Sequence, residues 1–157
     1  MTRLYGRAPA GERVVGSVPQ NYGPHVTMLG ALGVQGLQAV MTIDGATDAA
    51  VFRTYVKKVL GPTLTPGDMV VMDNLQAHKA VGVQQAIGRR GARLLYLPPY
   101  SPDLSPIEPC WSKVKTALRK VKARTRTVLD AAIAEAMVTV SHTDAWGWFK
   151  HCGYPLH

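Results

Sequence analysis

The chain has 157 residues, 46% of them hydrophobic and 18% charged, proportions typical of one folded domain and unlike those of a disordered tail. No apolar run approaches the roughly 18 residues that a membrane-spanning helix needs, and the first residues lack the apolar segment of a secretory signal. The two cysteines, Cys110 and Cys152, have no metal-type spacing, so we expect a soluble protein in a reducing, cytoplasmic compartment.

The net charge of +8 is concentrated in the second half of the chain. Residues 1–78 contain six Lys or Arg and five Asp or Glu, whereas residues 79–157 contain twelve and five. Seven of these basic residues lie between Lys113 and Arg126. Charge placed in this way favours a polyanionic partner, most simply nucleic acid, but a solvated helix face explains the charge equally well.

The chain begins with a segment, residues 1–24, that is rich in Gly, Pro and Arg and predicts irregular structure. Residues 25–32 and 34–43 are two strand-like runs. Because Gly33 separates them and Gly36 lies inside the second run, the pattern predicts a β-hairpin with a bulge.

Helices and short apolar strands then alternate. Apolar residues recur at helical spacing over residues 47–60, which predicts a helix with Thr47 as its N-cap and an end at Gly61-Pro62. The further predicted elements are a strand at 68–74, a helix at 78–87, a strand at 93–97, an extended proline loop at 98–103, helices at 105–121 and 127–140, and a short packing element containing Trp146, Trp148 and Phe149. This order indicates an α/β layer fold with a mixed sheet.

Two acidic residues stand at positions that suit catalysis. Asp73 ends an apolar strand, and the carboxyl ends of strands in α/β sheets are where catalytic groups usually lie. Glu108 falls in the first turn of the helix that follows the proline loop. Each has a structural explanation as well: Asp73 as a turn residue, and Glu108 as part of a capping box with Ser105 as N-cap and Pro106 at the first helical position.

The helix that carries Glu108 predicts two parallel stripes of side chains. The apolar stripe faces the core and consists of Ile107, Trp111, Val114, Leu118 and Val121. The second stripe consists of Glu108, Ser112, Lys115, Arg119 and Lys122. Three cations exceed what one carboxylate can balance through helical pairs, so they would suit phosphates lying along the helix.

Two segments, residues 70–79 (VVMDNLQAHK) and 97–113 (LPPYSPDLSPIEPCWSK), resemble the second and third catalytic motifs of mariner-superfamily transposases, most closely the bacterial insertion-sequence branch. Thirty-four residues separate Asp73 from Glu108, the spacing that marks the Asp-Asp-Glu triad of this group. Residues 1–9 and 29–52 also resemble the family. A small departure is Ser105, where the family more often has Asn.

The resemblance implies a ribonuclease-H-like (integrase-like) fold, a mixed sheet flanked by helices, forming one endonuclease domain over residues 1–157. It implies that Asp73 and Glu108 hold Mg²⁺ or Mn²⁺ in a two-metal site that hydrolyses DNA at transposon ends and transfers the freed strand. At matching positions, His78 would approach the metal site or a phosphate, and Lys79 a phosphate. DNA is the expected partner, bound by a homodimer.

The family places its first catalytic Asp on a central first strand, just before the segment that matches Met1 onward. We therefore expect the first central strand, its Asp and the N-terminal helix-turn-helix domain to be missing here. Asp44 and Asp48 match family positions outside the triad and are poor substitutes. An upstream polypeptide would have to supply the strand; the alternative is an inactive remnant that binds DNA through its basic helix.

Overall fold

Four strands and five helices form the part of the chain that the structure, a computed structural model, describes: residues 5–16 and 25–156. In chain order they are β1 (Val26–Gly33), β2 (Gly36–Asp44), α1 (Ala49–Tyr55), β3 (Met69–Met72), α2 (Val83–Gly88), β4 (Arg93–Tyr96), α3 (Ile107–Val121), α4 (Arg126–Val138) and α5 (His142–His151). Residues 5–16 contain neither helix nor strand, as predicted. The rest of the predicted irregular segment, residues 1–4 and 17–24, lies outside the described residues.

The predicted hairpin with a bulge is confirmed. β1 and β2 pair in antiparallel fashion from Val26 opposite Asp44 to Gly33 opposite Gly36, and the register shifts between Leu29 and Ala31. The irregularity therefore falls near Ala39, whose φ is 49°, because an extra residue of β2 must be accommodated there. Gly36 lies at the hairpin turn instead.

The first helix begins one residue later than predicted. Asp48 is the N-cap, and its side chain accepts a hydrogen bond from the backbone N–H of Val51 at 2.8 Å. The Thr47 hydroxyl is buried without a hydrogen-bond partner among the described residues, so the assignment of Thr47 as N-cap was wrong. After Tyr55 the chain continues through a π-helical turn, Val56–Leu60, and a 3₁₀ turn, Gly61–Thr63.

The strands β3 and β4 form a parallel pair, with Met69 opposite Arg93 and Met72 opposite Tyr96. The hairpin and this pair are separate two-stranded sheets among the described residues. Both strand senses of the expected mixed sheet are present, one in each pair, and no described strand joins the two pairs. The helix predicted from residue 78 begins only at Val83, because residues 75–80 form turns and Gly82 enters the helix at a φ of 91°.

The helices of the second half differ from the predictions mainly at their ends. α3 has Pro106 as its N-cap, with no side-chain hydrogen bond there, so the capping box of Ser105 and Glu108 does not form. α4 begins after Thr125, whose hydroxyl accepts from Val128 N–H. The predicted packing element is the ten-residue helix α5, and it has the capping box, made by Ser141 and Asp144.

The hairpin lies between two hydrophobic clusters. One gathers residues of α1, its π-helical turn and α2 with Ala92, which precedes β4: Phe52, Tyr55, Val56, Leu60, Val83, Ile87 and Ala92. The other gathers residues of α3 and α4 with Val140: Cys110, Val114, Leu118, Ala132, Ile133, Ala136 and Val140. Leu29 of β1 packs against the first cluster and its neighbour Met28 against the second, because successive strand side chains point to opposite faces. Both faces of the hairpin are therefore covered.

The apolar stripe of α3 is confirmed except at its end. Val114 and Leu118 are buried and Trp111 packs against the second cluster, as predicted. Val121 is 45% exposed and the unpredicted Cys110 is fully buried. No helix in the described ranges is long and apolar enough to cross a membrane.

Candidate functional site

Asp73 follows the last residue of β3, and one oxygen of its carboxylate is engaged by the protein. Oδ1 accepts a hydrogen bond from the backbone N–H of Leu75 at 3.1 Å and lies 2.6 Å from Nδ1 of His78. Within the described residues, Oδ2 takes part in neither contact. The side chain of Asp73 is 51% exposed, so this second oxygen can meet a ligand from solvent.

His78 is held from several sides. Its ring lies 4.4 Å from the ring of buried Phe52 on α1, measured between centroids, and its side chain is only 20% exposed. Its backbone carbonyl accepts a hydrogen bond from the hydroxyl of Tyr96 on β4 at 3.0 Å. A carboxylate can only accept, so Nδ1 carries the proton that points to Asp73.

The ends of β3 and β4 are joined beside this acid. The Asn74 side chain donates from Nδ2 to the backbone carbonyl of Leu97. Asn74 therefore fixes the turn after β3 against the end of β4. Because β3 and β4 are parallel, their carboxyl ends lie at one edge of the sheet, and the loop after β4 leads to Glu108.

Glu108 lies in the first turn of α3 and is exposed. Among the described residues its carboxylate forms no ion pair and no side-chain hydrogen bond. With the capping box excluded, no specific contact occupies this carboxylate in the described part of the chain. Its position at a helix N-terminus, where backbone N–H groups are unsatisfied, suits a negative charge.

The donor chemistry of these two acids fits Mg²⁺ or Mn²⁺, which prefer carboxylate oxygens. Among the described residues, one oxygen of Asp73 and both oxygens of Glu108 have no side-chain or backbone donor. However, no group of three or more Asp, Glu, His or Cys side chains able to hold a metal occurs within residues 5–16 and 25–156. The described residues thus offer carboxylate ligands of the right kind but not a complete site.

The predicted DNA-contacting cations are all on the surface. Lys115 and Arg119 are exposed on α3, and Lys122 is exposed at its C-cap, where φ is 53°. Lys79 is exposed as well, and its Nζ lies 5.8 Å from the centroid of the Tyr96 ring. None of these four forms an ion pair with a described carboxylate, so their charge is not neutralised within this part of the protein.

Sequence reasoning missed the two aromatic residues that hold His78. Phe52 belonged to the apolar repeat of the first helix and Tyr96 to a strand, and neither pattern pointed to His78. Their contacts with His78 arise from α1 and β4 meeting beside the turn after β3.

The described chain is thus an α/β fold with one acid after a parallel strand and another in the first turn of the helix beyond the next strand. The chain belongs to the DDE superfamily endonuclease family, which its residues 1–130 match.

A curated relative and several solved structures extend this comparison. The transposable element Tcb2 transposase of Caenorhabditis briggsae is 28% identical over 105 residues, which are 64% of this chain and 38% of the relative. The Mos1 strand transfer complex gives a TM-score of 0.72 at 15% identity, and the Mos1 transposase paired-end complex with left transposon end gives 0.75 at 14%. Each of the two matches covers 96% of this chain. In turn, this chain spans 46% of the Mos1 chain in the strand transfer complex and 47% of the one in the paired-end complex. The chain therefore shares its fold with somewhat less than half of each Mos1 chain.

Proposed function

We propose that this protein is the catalytic domain of a transposase, which hydrolyses DNA phosphodiester bonds at the ends of an insertion sequence and transfers the freed strand. The observation that carries the proposal is the pair of acids in a DDE-family chain: Asp73 with one oxygen free beside β3, and Glu108 without a structural partner in the described ranges. The Tcb2 and Mos1 relatives are transposases, which supports the same chemistry here.

In this proposal Asp73 and Glu108 bind the metal, and their oxygens fix its place at the sheet edge. A divalent cation bound there would activate water or a 3′-hydroxyl and stabilise the leaving oxygen. A Mos1 paired-end complex with Mn has a TM-score of 0.64 to this chain, which supports Mg²⁺ or Mn²⁺ as the cofactor.

DNA would be held by the exposed cations, with Lys115, Arg119 and Lys122 following one strand and Lys79 lying nearer the acids, beside the half-buried His78. Free positive charge on one helix face binds phosphates irrespective of sequence. The Mos1 complex with a transposon end supports DNA ends as the partner, and a homodimer on two such ends is the proposed assembly. A bacterial insertion sequence, acting in the cytoplasm at the nucleoid, is the proposed source.

A nicking assay with Mn²⁺ on the complete protein tests the function. We expect Asp73→Asn and Glu108→Gln each to lower the rate by more than the roughly 10–100-fold typical of residues that only support a metal ligand. The matched control is Glu135→Gln, an exposed acid on α4, which should leave the rate unchanged. Full nicking by either test variant would contradict the assignment.

We further propose that a strand from outside the described residues, carrying the third carboxylate, lies between β1 and β3. Each described strand pairs with only one other, while Leu29 of β1 and Val70 of β3 pack against the same cluster. The unpaired N–H and C=O groups at such strand edges, beside one core, can form hydrogen bonds with a further strand. Sequencing the DNA upstream of Met1 tests this: codons for an apolar strand ending in Asp are expected, and their lack would contradict the proposal.

A second candidate is a remnant that binds DNA but does not cut it. The lack of a group of three metal-binding side chains in the described ranges favours it. The two candidates differ in the nicking assay on the 157-residue chain alone. Binding without nicking supports the remnant, whereas nicking that Asp73→Asn abolishes would rule it out.

A further inference from the structure

We infer that His78 is a positioning residue for Asp73: its Nδ1–H holds Oδ1 of the carboxylate, so that Oδ2, which has no donor among the described residues, stays available to a metal. The inference rests on the proposed function, because it assigns a task within the same site. It gives His78 a specific task within the expected approach to the metal site or a phosphate, and helix capping does not account for the residue because no helix begins there.

The geometry favours a fixed carboxylate. The Asp73 side chain has two donors on one oxygen, the Leu75 N–H at 3.1 Å and His78 Nδ1 at 2.6 Å. Two donors on Oδ1 set the rotation of the carboxylate group, so Oδ2 has a defined direction before any ligand arrives. Neighbours that orient a metal-binding carboxylate in this way raise the affinity for the metal.

The histidine is itself immobilised, which an orienting group requires. Phe52 of α1 packs against the ring and Tyr96 of β4 bonds to the backbone carbonyl. Since these residues come from two different elements, the position of His78 is fixed by the fold and not only by its own turn. A histidine that merely capped the turn would need neither contact.

Two substitutions separate positioning from packing. Asn places its side-chain N–H₂ where Nδ1 of His lies, whereas Gln places the donor one bond farther out. Both remove the ring from Phe52 to the same degree, so they should cost similar stability. The proposal predicts that His78→Asn retains Mn²⁺ affinity close to that of the unaltered protein and that His78→Gln loses about tenfold.

The measurement is the dissociation constant for Mn²⁺ on the complete protein, from the electron paramagnetic resonance signal of free Mn²⁺, with thermal unfolding recorded in parallel. Asp73→Asn is the positive reference. The matched control is His142→Gln, an exposed histidine whose ring lies 5.7 Å from that of Trp146. It should bind Mn²⁺ normally.

Three outcomes would overturn the inference. If His78→Gln binds Mn²⁺ as tightly as the unaltered protein while Asp73→Asn binds it more weakly, His78 has no positioning role and the proposed function still stands. Equal loss in His78→Asn and His78→Gln assigns the histidine to packing. No effect of Asp73→Asn, or no Mn²⁺ binding by the unaltered protein, removes the metal site itself.

Discussion

The side chain of Asn74 is hydrogen-bonded to the backbone carbonyl of Leu97 and so ties the end of β3 to the end of β4. We expect Asn74→Ala to lower the free energy of unfolding by about 1–2 kcal/mol, because a partly buried carbonyl loses its donor. Urea unfolding measures the change. Gln76→Ala, an exposed amide in the same turn, is the control and should be neutral. Equal effects of the two substitutions would contradict this account.

The ion pair between Lys113 on α3 and Asp144 on α5, 2.6 Å from Nζ to Oδ2, makes stability depend on pH. Lys113, together with the Ser141 hydroxyl and N–H, lowers the pKa of Asp144 from 3.8 to about 2. A carboxyl group with a lowered pKa stabilises the fold above its unfolded pKa and loses this contribution as pH falls through the folded pKa. The contribution should therefore disappear between about pH 4 and pH 2.

Urea unfolding of Asp144→Asn tests this dependence. At pH 7 the variant should be less stable by about 1 kcal/mol, the scale of a partly exposed pair. At pH 2 the difference from the unaltered protein should shrink towards zero. A difference that stays constant from pH 7 to pH 2 would show that the carboxylate charge is not involved.

The exposed cations of α3 should set the salt dependence of DNA binding. Replacing Lys115, Arg119 and Lys122 by Ala should weaken binding of all sequences alike and reduce the slope of log affinity against log salt by about 1 for each phosphate that is no longer neutralised. Fluorescence anisotropy at several salt concentrations measures this slope. Lys57→Ala with Lys58→Ala, two exposed lysines after α1, is the control. If the slope falls only in the control with both lysines replaced, DNA binds away from these cations of α3.

Two glycines should respond to alanine in opposite directions. A Cβ on Gly30 would lie 3.0 Å from the Trp111 ring and 3.3 Å from Val40, so Gly30→Ala should cost about 1–3 kcal/mol through overpacking. At Gly88 nothing among the described residues lies within 4 Å, and Gly88→Ala should stabilise by about 0.4–1 kcal/mol by restricting the unfolded chain. Thermal unfolding measures whether each substitution lowers or raises the stability of the fold. Trp111→Phe should relieve part of the cost at Gly30, as a double-mutant cycle can measure.

The sequence predicted the elements well wherever apolar periodicity was strong, and less well where ends depend on a few atoms. Thr47 and Asp48 are adjacent and both suit an N-cap, so only the backbone path decides that Asp48 takes the position. At α3 the sequence pattern of a capping box was present. Pro106 occupies the N-cap with a helical φ of −61°, and Ser105 bonds to the helix only through its backbone carbonyl, which accepts from the Glu108 N–H, and not through its side chain.

The acids of the site could be chosen from sequence, but their surroundings could not. Asp73 and Glu108 stood out through strand ends, helix starts and a family resemblance. The bond between Asp73 and His78 could not be predicted, because residues 78–82 were assigned to a helix and instead form turns before Gly82. Gly82 was the available signal in the sequence for a later helix start, because glycine readily adopts the positive φ found there.

The covered hairpin has a consequence for cooperativity. Met28 and Leu29 are adjacent, yet they fill separate clusters on opposite faces. If α3 and α4 detached, the hairpin would expose one apolar face to water, and the packing that remained on its other face would also be weakened. The two halves of the core should therefore melt together, in one transition that calorimetry would record as a single peak.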